Sequence, residues 1–288
     1  MDTLPLEDQI AALEEGHAYL EHTDVSLTIV SGADARSWLH DLVTADVATL
    51  EPLQTRPSLL LSPTGKIRAT FHVLGLGQDF LIAQPTDQPS PIEGLLAPYI
   101  LSSDLVLGSS PLRVFSVPGP RATPPWISEG WRPGIHDGGV DLLIAGDDRS
   151  EIQERFADSG FVGVDPVAVE TLRIRRGIPR FPVDLDEDSL PAEADLEQAI
   201  DFTKGCFLGQ ESVAKVRNLG HPARVVLPLR AAERASAGER VLEGGDEVGL
   251  VTSAAPIPGG SAVLARVRWS ARGSDDLRTG AGAALRPA

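Results

Sequence analysis

Apolar positions along this chain change period several times before settling into short alternating runs. Leu6, Ile10, Leu13 and Leu20 fall near helical spacing and predict an N-terminal helix over 6–20. Val25 to Val30 alternates as a strand does, and Ser31-Gly32 ends it. Asp34 then stands where a helix cap is expected, ahead of Trp38, Leu39 and Leu42. Ser58–Leu61 and Ile67–Leu74 read as two strands around the turn Ser62-Pro63-Thr64-Gly65, with a further strand at Phe80–Ala83. A helix is expected over Ile92–Leu101, strands at Val106 and Leu112–Val117, and a variable loop over 119–139. Asp141–Ala145 reads as a strand and Arg149–Ser159 as a helix.

Near residue 165 the stop and start signals are sharper. Asp165 and Pro166 open a helix over Val167–Arg176, and Gly177 with Pro179 closes it, leaving arginines at its far end. Phe181 to Ile200 is acidic and loop-like. From Pro222 onward short strands dominate (Val225–Leu229, Glu239–Leu242, Val248–Thr252, Ala262–Trp269), followed by an Ala/Gly-rich tail from Gly280 expected to fray. This order predicts an α+β protein with modules around a central cavity. A boundary near residue 221 would separate residues 1–221 from a C-terminal module over 222–288 that reads as a small β-barrel or sandwich.

Composition narrows the function classes. With 25 basic against 41 acidic residues the net charge is −16, which disfavours bulk nucleic-acid binding through many phosphate contacts. No apolar run approaches the roughly 18–20 residues needed to span a bilayer, and the acidic start carries no basic-then-apolar leader pattern. A cytoplasmic protein without a membrane partner is expected. One cysteine in 288 residues excludes an intramolecular disulfide and a Cys-rich metal site, so no metal ligands are assigned.

That cysteine sits in Lys204-Gly205-Cys206-Phe207-Leu208-Gly209-Gln210-Glu211. The glycines permit tight turns or close approach of a ligand, and a nearby lysine favours a thiolate. A buried packing cysteine is the competing reading. Arg173, Arg175, Arg176 and Arg180 form a basic run whose forks suit carboxylates and phosphates, or pair with the acidic loop over 184–197. The four tryptophans share no spacing and read as core or loop anchors.

The octapeptide is similar to the K-G-C-(Y/F)-x-G-Q-E signature of YgfZ-type folate-binding proteins, relatives of the glycine-cleavage T-protein (aminomethyltransferase). Thr171-Leu172-Arg173-Ile174 with Gly177-Ile178-Pro179, Thr44-Ala45-Asp46-Val47, and Gly249-Leu250-Val251-Thr252-Ser253 resemble three further segments of that superfamily, in the same order. The resemblance implies a T-protein-like fold, with two interleaved α+β subdomains in a folate-binding region over 1–221 and a small C-terminal β-barrel over 222–288. It also implies an accessory role in assembling or repairing iron–sulfur clusters of client enzymes, tRNA-modifying ones included. Cys206 would be the reactive thiol and Lys204 its modulator. Arg173, Arg175, Arg176, Gly209, Gln210 and Glu211 would form the cofactor side, with tetrahydrofolate the implied cofactor. Partners would be iron–sulfur client or assembly proteins and a folate derivative.

Two departures qualify this. Gly65-Lys66-Ile67-Arg68-Ala69-Thr70 lacks the carboxylate that promotes one-carbon transfer in the aminomethyltransferases, so the balance is against an enzyme. Arg175 stands where relatives carry a pterin-facing glutamate, and arginine offers only donors. The alternatives are a folate-dependent aminomethyl- or methyltransferase, and a thiol enzyme pairing Cys206 with His221.

Overall fold

The computed structural model describes residues 4–118, 126, 139–145 and 149–288. Along the chain it contains α1 (Leu6–Glu15), β1 (Ala18–His22), β2 (Val25–Ser31), α2 (Ala35–Leu42), β3 (Thr55–Leu61), β4 (Ile67–Leu76), β5 (Asp79–Pro85) and α3 (Ile92–Leu96). There follow β6 (Val106–Ser109), β7 (Arg113–Val117), β8 (Val140–Ile144), α4 (Arg149–Asp158), β9 (Val162–Gly163), α5 (Pro166–Arg175) and α6 (Gln210–Leu219). The last elements are β10 (Arg224–Ala231), β11 (Arg240–Glu243), β12 (Asp246–Ile257), β13 (Gly260–Arg268), β14 (Leu277–Thr279) and β15 (Leu285–Pro287). The variable loop expected over 119–139 lies outside the described residues, apart from Trp126 and Gly139.

Two compact units divide the chain: residues 1–60, 68–169 and 199–208 in the first, and 61–67, 170–198 and 209–288 in the second. In the first, a five-stranded sheet runs β3-β4-β5-β2-β6 and a four-stranded sheet β8-β7-β1-β9. Strand alternation gives the larger sheet two apolar faces. One packs Val30, Phe71, Val73, Phe80 and Ile82 against Trp38 and Leu39 of α2 and Ile92 and Leu96 of α3. The other sets Leu27, Leu74, Leu81 and Ala83 against Val114 of β7. On the far side of the smaller sheet Phe115 and Val117 meet Ile152 and Phe156 of α4, with Tyr19 stacked on Phe156 at 4.2 Å.

The N-terminal helix is shorter than its apolar spacing predicts. Gly16 adopts φ 79° and donates to Ala12 O, which stops α1, and Leu20 falls in a strand instead. The helix expected to 101 likewise ends at Leu96 and continues as a short 3-10 turn over Ala97–Tyr99. Asp34 does not cap α2 through its side chain; its carboxylate accepts from the Asp104 N–H at 2.8 Å.

His72 on β4 is half-buried and lies opposite Ala83 of β5. Burial pushes its imidazole down to about 4. The folded pKa lies below the unfolded value of 6.5, so the unfolded chain binds the extra proton between those values and stability falls as pH falls. We expect His72→Gln to remove about 2 kcal/mol of the stability lost between pH 7 and pH 5, seen as a flatter pH profile in urea melts.

In the second unit a curled six-stranded antiparallel sheet runs β14-β11-β12-β13-β10-β15. Leu229, Val241, Val251, Val263, Ala265 and Val267 fill its inner face. The tail does not fray: Leu285 is buried, and β15 pairs with β10 from Leu229↔Pro287 to Ala231↔Leu285. α5 ends as its sequence signals, with Gly177 at φ 69° and the Ile178 N–H on Arg173 O.

Candidate functional site

The octapeptide is divided between the units, Lys204 to Leu208 in the first and Gly209 to Glu211 in the second. In the first unit the chain over 199–208 is tied to the end of α2. Thr44 Oγ1 donates to Ala199 O at 2.6 Å and accepts from the Leu59 N–H, while the Asp201 N–H donates to Thr44 O. Asp201 then accepts from the N–H groups of Thr203 and Lys204. This turn delivers Lys204 to carbonyls at the end of α2 and just beyond it. Its ammonium donates to His40 O, to Val43 O at 2.7 Å and to Ala45 O at 3.0 Å. Burial lowers the Lys204 pKa to about 8, against the opposing pull of Asp46, Asp41 and Asp201.

Three donors meet three carbonyls, so Lys204 has no hydrogen left to donate to sulfur. It acts as a clamp under the cysteine loop. We expect Lys204→Met to cost about 2–3 kcal/mol in unfolding free energy. A loss below about 0.5 kcal/mol in chemical denaturation would show that these bonds contribute little. Beyond the clamp, Cys206 is exposed. Phe207 is buried, with the ammonium 5.6 Å from its ring centroid, and Leu208 packs on the first-unit core. The thiol is thus held out by a loop anchored on both sides. Gly205 is unconstrained, since a Cβ there would meet nothing within 4 Å.

Next to the clamp sit groups that sequence reading left without a role. Asp46 accepts from Thr49 and from the Ala48 N–H and pairs with Arg56 at 3.5 Å. Desolvation raises its pKa, but these bonds outweigh it and hold the carboxyl below its usual range. His40 Nδ1 lies 3.3 Å from Asp46, and burial with the nearby Lys204 charge lowers the imidazole pKa. Asp46 belongs to the Thr44–Val47 segment already singled out; His40 carried no signal, because its relevance depends on a fold contact.

In the second unit Gly209 begins α6 at φ 83°. A Cβ there would lie 2.5 Å from Ser62 O and 3.1 Å from Gly65 Cα, so the glycine lets the β3–β4 turn rest on the helix start. Gln210 is half-buried and Glu211 exposed in the first turn of α6, where a negative charge suits the helix dipole. Neither side chain makes a hydrogen bond to the described residues. At the same turn Lys66 Nζ pairs with Asp188 at 2.5 Å.

The arginine run is unequal. Arg173 is 11% exposed and has all five N–H donors occupied. They reach both oxygens of Glu170, Asp184 at 2.7 Å, Ile178 O, and Ser253 Oγ at 3.1 Å. Asp184, fully buried at its side chain, also accepts from Thr252 and Ser253, each at 2.6 Å, and from the Arg180 N–H. Adjacent residues of a regular strand face opposite ways, but the register of β12 shifts between Val251 and Ser253, and both hydroxyls reach one carboxylate. Arg175 Nε donates to Pro256 O at 2.9 Å, and Arg176 is exposed. His221 stacks on Trp269 at 4.8 Å. Among the described residues no group of three or more His, Cys, Asp or Glu side chains is placed to hold a metal ion. No helix among them is long and apolar enough to cross a membrane.

The fold is that of the aminomethyltransferase T proteins. It matches the glycine cleavage system aminomethyltransferase T of Bartonella henselae with a TM-score of 0.82 over 99% of this chain and 89% of that one, at 19% identity. No family model matches the sequence. Its relatives include an iron-sulfur cluster assembly factor IBA57 homolog, mitochondrial, of Cryptococcus neoformans, 29% identical over 74% of this chain and 65% of the fungal protein. An aminomethyltransferase of Alcanivorax borkumensis is 24% identical over 92% of this chain and 83% of its own. An uncharacterized Haemophilus influenzae protein is 26% identical, covering 84% and 85%. The chain thus has the T-protein fold and is similar in sequence both to aminomethyltransferases and to an IBA57-type assembly factor.

Proposed function

We propose that this protein is a YgfZ-like accessory factor in iron–sulfur cluster assembly or repair, acting through Cys206. The observation that carries the reading is the exposed thiol on a loop clamped by Lys204, in a chain similar to an IBA57-type assembly factor. A single cysteine suits transient ligation of a cluster held mainly by another protein. In that exchange a Cys206 S–Fe bond forms as a donor thiolate's S–Fe bond breaks, and the proton leaving Cys206 passes to the departing thiolate. No electrons change hands. The clients would include tRNA-modifying enzymes, and the compartment would be the cytoplasm.

Tetrahydrofolate is the cofactor class the superfamily implies, yet the arginines here suit its pterin poorly. Arg175 offers no acceptor, and Arg173 has no donor left. Exposed Arg176 is the guanidinium open to a glutamyl tail. Calorimetric preference for glutamylated over plain tetrahydrofolate, lost in Arg176→Ala, would support that contact.

The main test measures a cluster-dependent enzyme in cells carrying only Cys206→Ala. Activity should fall to that of cells lacking the protein, whereas wild-type activity would remove the thiol's role. The second reading, a folate-dependent aminomethyl- or methyltransferase, is favoured by the Alcanivorax relative. It is weakened by Gly65–Thr70, where Lys66 is paired to Asp188 and the turn itself supplies no carboxylate. Steady-state turnover of a one-carbon donor with tetrahydrofolate would establish it.

A further inference from the structure

In a chain with net charge −16, one end of the C-terminal sheet gathers three exposed arginines, Arg224, Arg268 and Arg272. Arg224 of β10 and Arg268 of β13 are direct cross-strand partners, and both are exposed. The next residue, Trp269, donates its N–H to Ala223 O at 2.9 Å, extending the pairing by one step. The Trp269 ring stacks with His221 at an interplanar angle of 5°, and the Arg272 guanidinium lies 4.0 Å from its centroid. Arg272 also donates to Trp269 O, which fixes the guanidinium over the ring.

Among the described residues, Arg224, Arg268 and Arg272 form no ion pair. Arg266, two residues before Arg268, shows what pairing looks like on this sheet: it meets Asp186 at 2.6 Å and Glu193 at 2.8 Å. Like charges directly opposite across a sheet are destabilising. A chain with 41 carboxylates has ample means to neutralise such a pair. The cross-strand arginine pair is therefore a local cost that an anionic ligand bridging the two guanidiniums would offset.

We propose that residues 221–224 and 268–272 form a docking surface for an acidic segment of a partner protein, whose carboxylates bridge Arg224 and Arg268 and reach Arg272. Arginine forks accept carboxylates in pairs, and a short Asp/Glu-rich stretch needs only a few of them. A nucleic acid fits less well, because the Trp269 ring is already engaged by His221 and Arg272, and three arginines are few for a polyphosphate facing a strongly acidic protein. The proposal is independent of the role of Cys206.

The test uses full-length protein and fluorescein-labelled deca-glutamate at low salt, read by fluorescence anisotropy. Binding should weaken at least about tenfold in the R224E/R268E double variant and stay within about twofold in R234E, a single charge reversal at another exposed arginine. R224E alone creates an opposite-charge cross-strand pair, so it should weaken binding while raising Tm by about 1–3 °C. That gain separates loss of a binding site from loss of fold. Equal binding by wild type and double variant, or no binding up to about 1 mM peptide, would overturn the proposal. So would tighter, R224E/R268E-sensitive binding of a labelled oligouridylate, which would assign the surface to nucleic acid. Concentration-dependent dimerisation in sedimentation, abolished by the double reversal, would assign it instead to a second copy of this chain.

Discussion

Replacing Arg173 with leucine will lower the free energy of unfolding by about 3–5 kcal/mol, the cost of leaving a buried carboxylate without its cation. Asp184 has no exposed side-chain surface, and Arg173 is its cationic partner at 2.7 Å. The Thr252 and Ser253 hydroxyls and the Arg180 N–H would still donate to Asp184. Dipoles alone do not replace a full charge in a desolvated site. Arg173→Lys will recover only part of the loss, since one ammonium cannot replace a five-donor fork that joins Glu170, Asp184, Ile178 O and Ser253. Urea melts of the two variants measure both values. A loss under about 1 kcal/mol in Arg173→Leu would mean that the network is not a structural node and would return Arg173 to ligand binding.

Gly209→Ala will cost about 2–4 kcal/mol, while Gly205→Ala, four residues earlier in the same motif, will stay within about 0.5 kcal/mol. Gly209 holds φ 83°, where an L side chain is strained, and its Cβ would lie 2.5 Å from the Ser62 carbonyl oxygen. Gly65 meets the same approach from the other side, with its own Cβ position 2.9 Å from Ser212 Cβ. Backbone on both sides leaves little room to relax. Equal thermal denaturation of the two glycine variants would show that the β3–β4 turn yields to α6 at small cost. Because Gly209 answers to packing, the glycines of the octapeptide are not evidence for a ligand in themselves.

Much of the fold was legible from periodicity and punctuation. The β3–β4 turn, the start of α5 at Pro166 and its stop at Gly177, and the strands from residue 224 onward follow from local patterns and turn chemistry. Two of the misses share a cause, although the Gly16 stop of α1 is itself a local signal. Leu20 continues the helical spacing of α1 but pairs in β1, and Leu285 sits in an Ala/Gly-rich tail but pairs in β15. In each case partners distant in sequence decide the state of a short segment.

The candidate site divides in the same way. Sequence by itself determined that one cysteine stands in a specific motif, that the turn before β4 carries no carboxylate, and that residue 175 is a donor where an acceptor was expected. Those are facts of residue identity. Only the tertiary structure decided that Lys204 serves carbonyls at and just past the end of α2, that Arg173 serves Asp184, and that Thr44 meets the cysteine loop while Thr252 and Ser253 meet the Arg173 node. A lysine or arginine is chemically ready for a ligand, a thiol or a backbone carbonyl alike. Which of these it meets is set by contacts that span from 11 residues of chain, for Arg173 and Asp184, to 161, for Lys204 and Val43, and by the desolvation that makes an unmet donor or charge costly there.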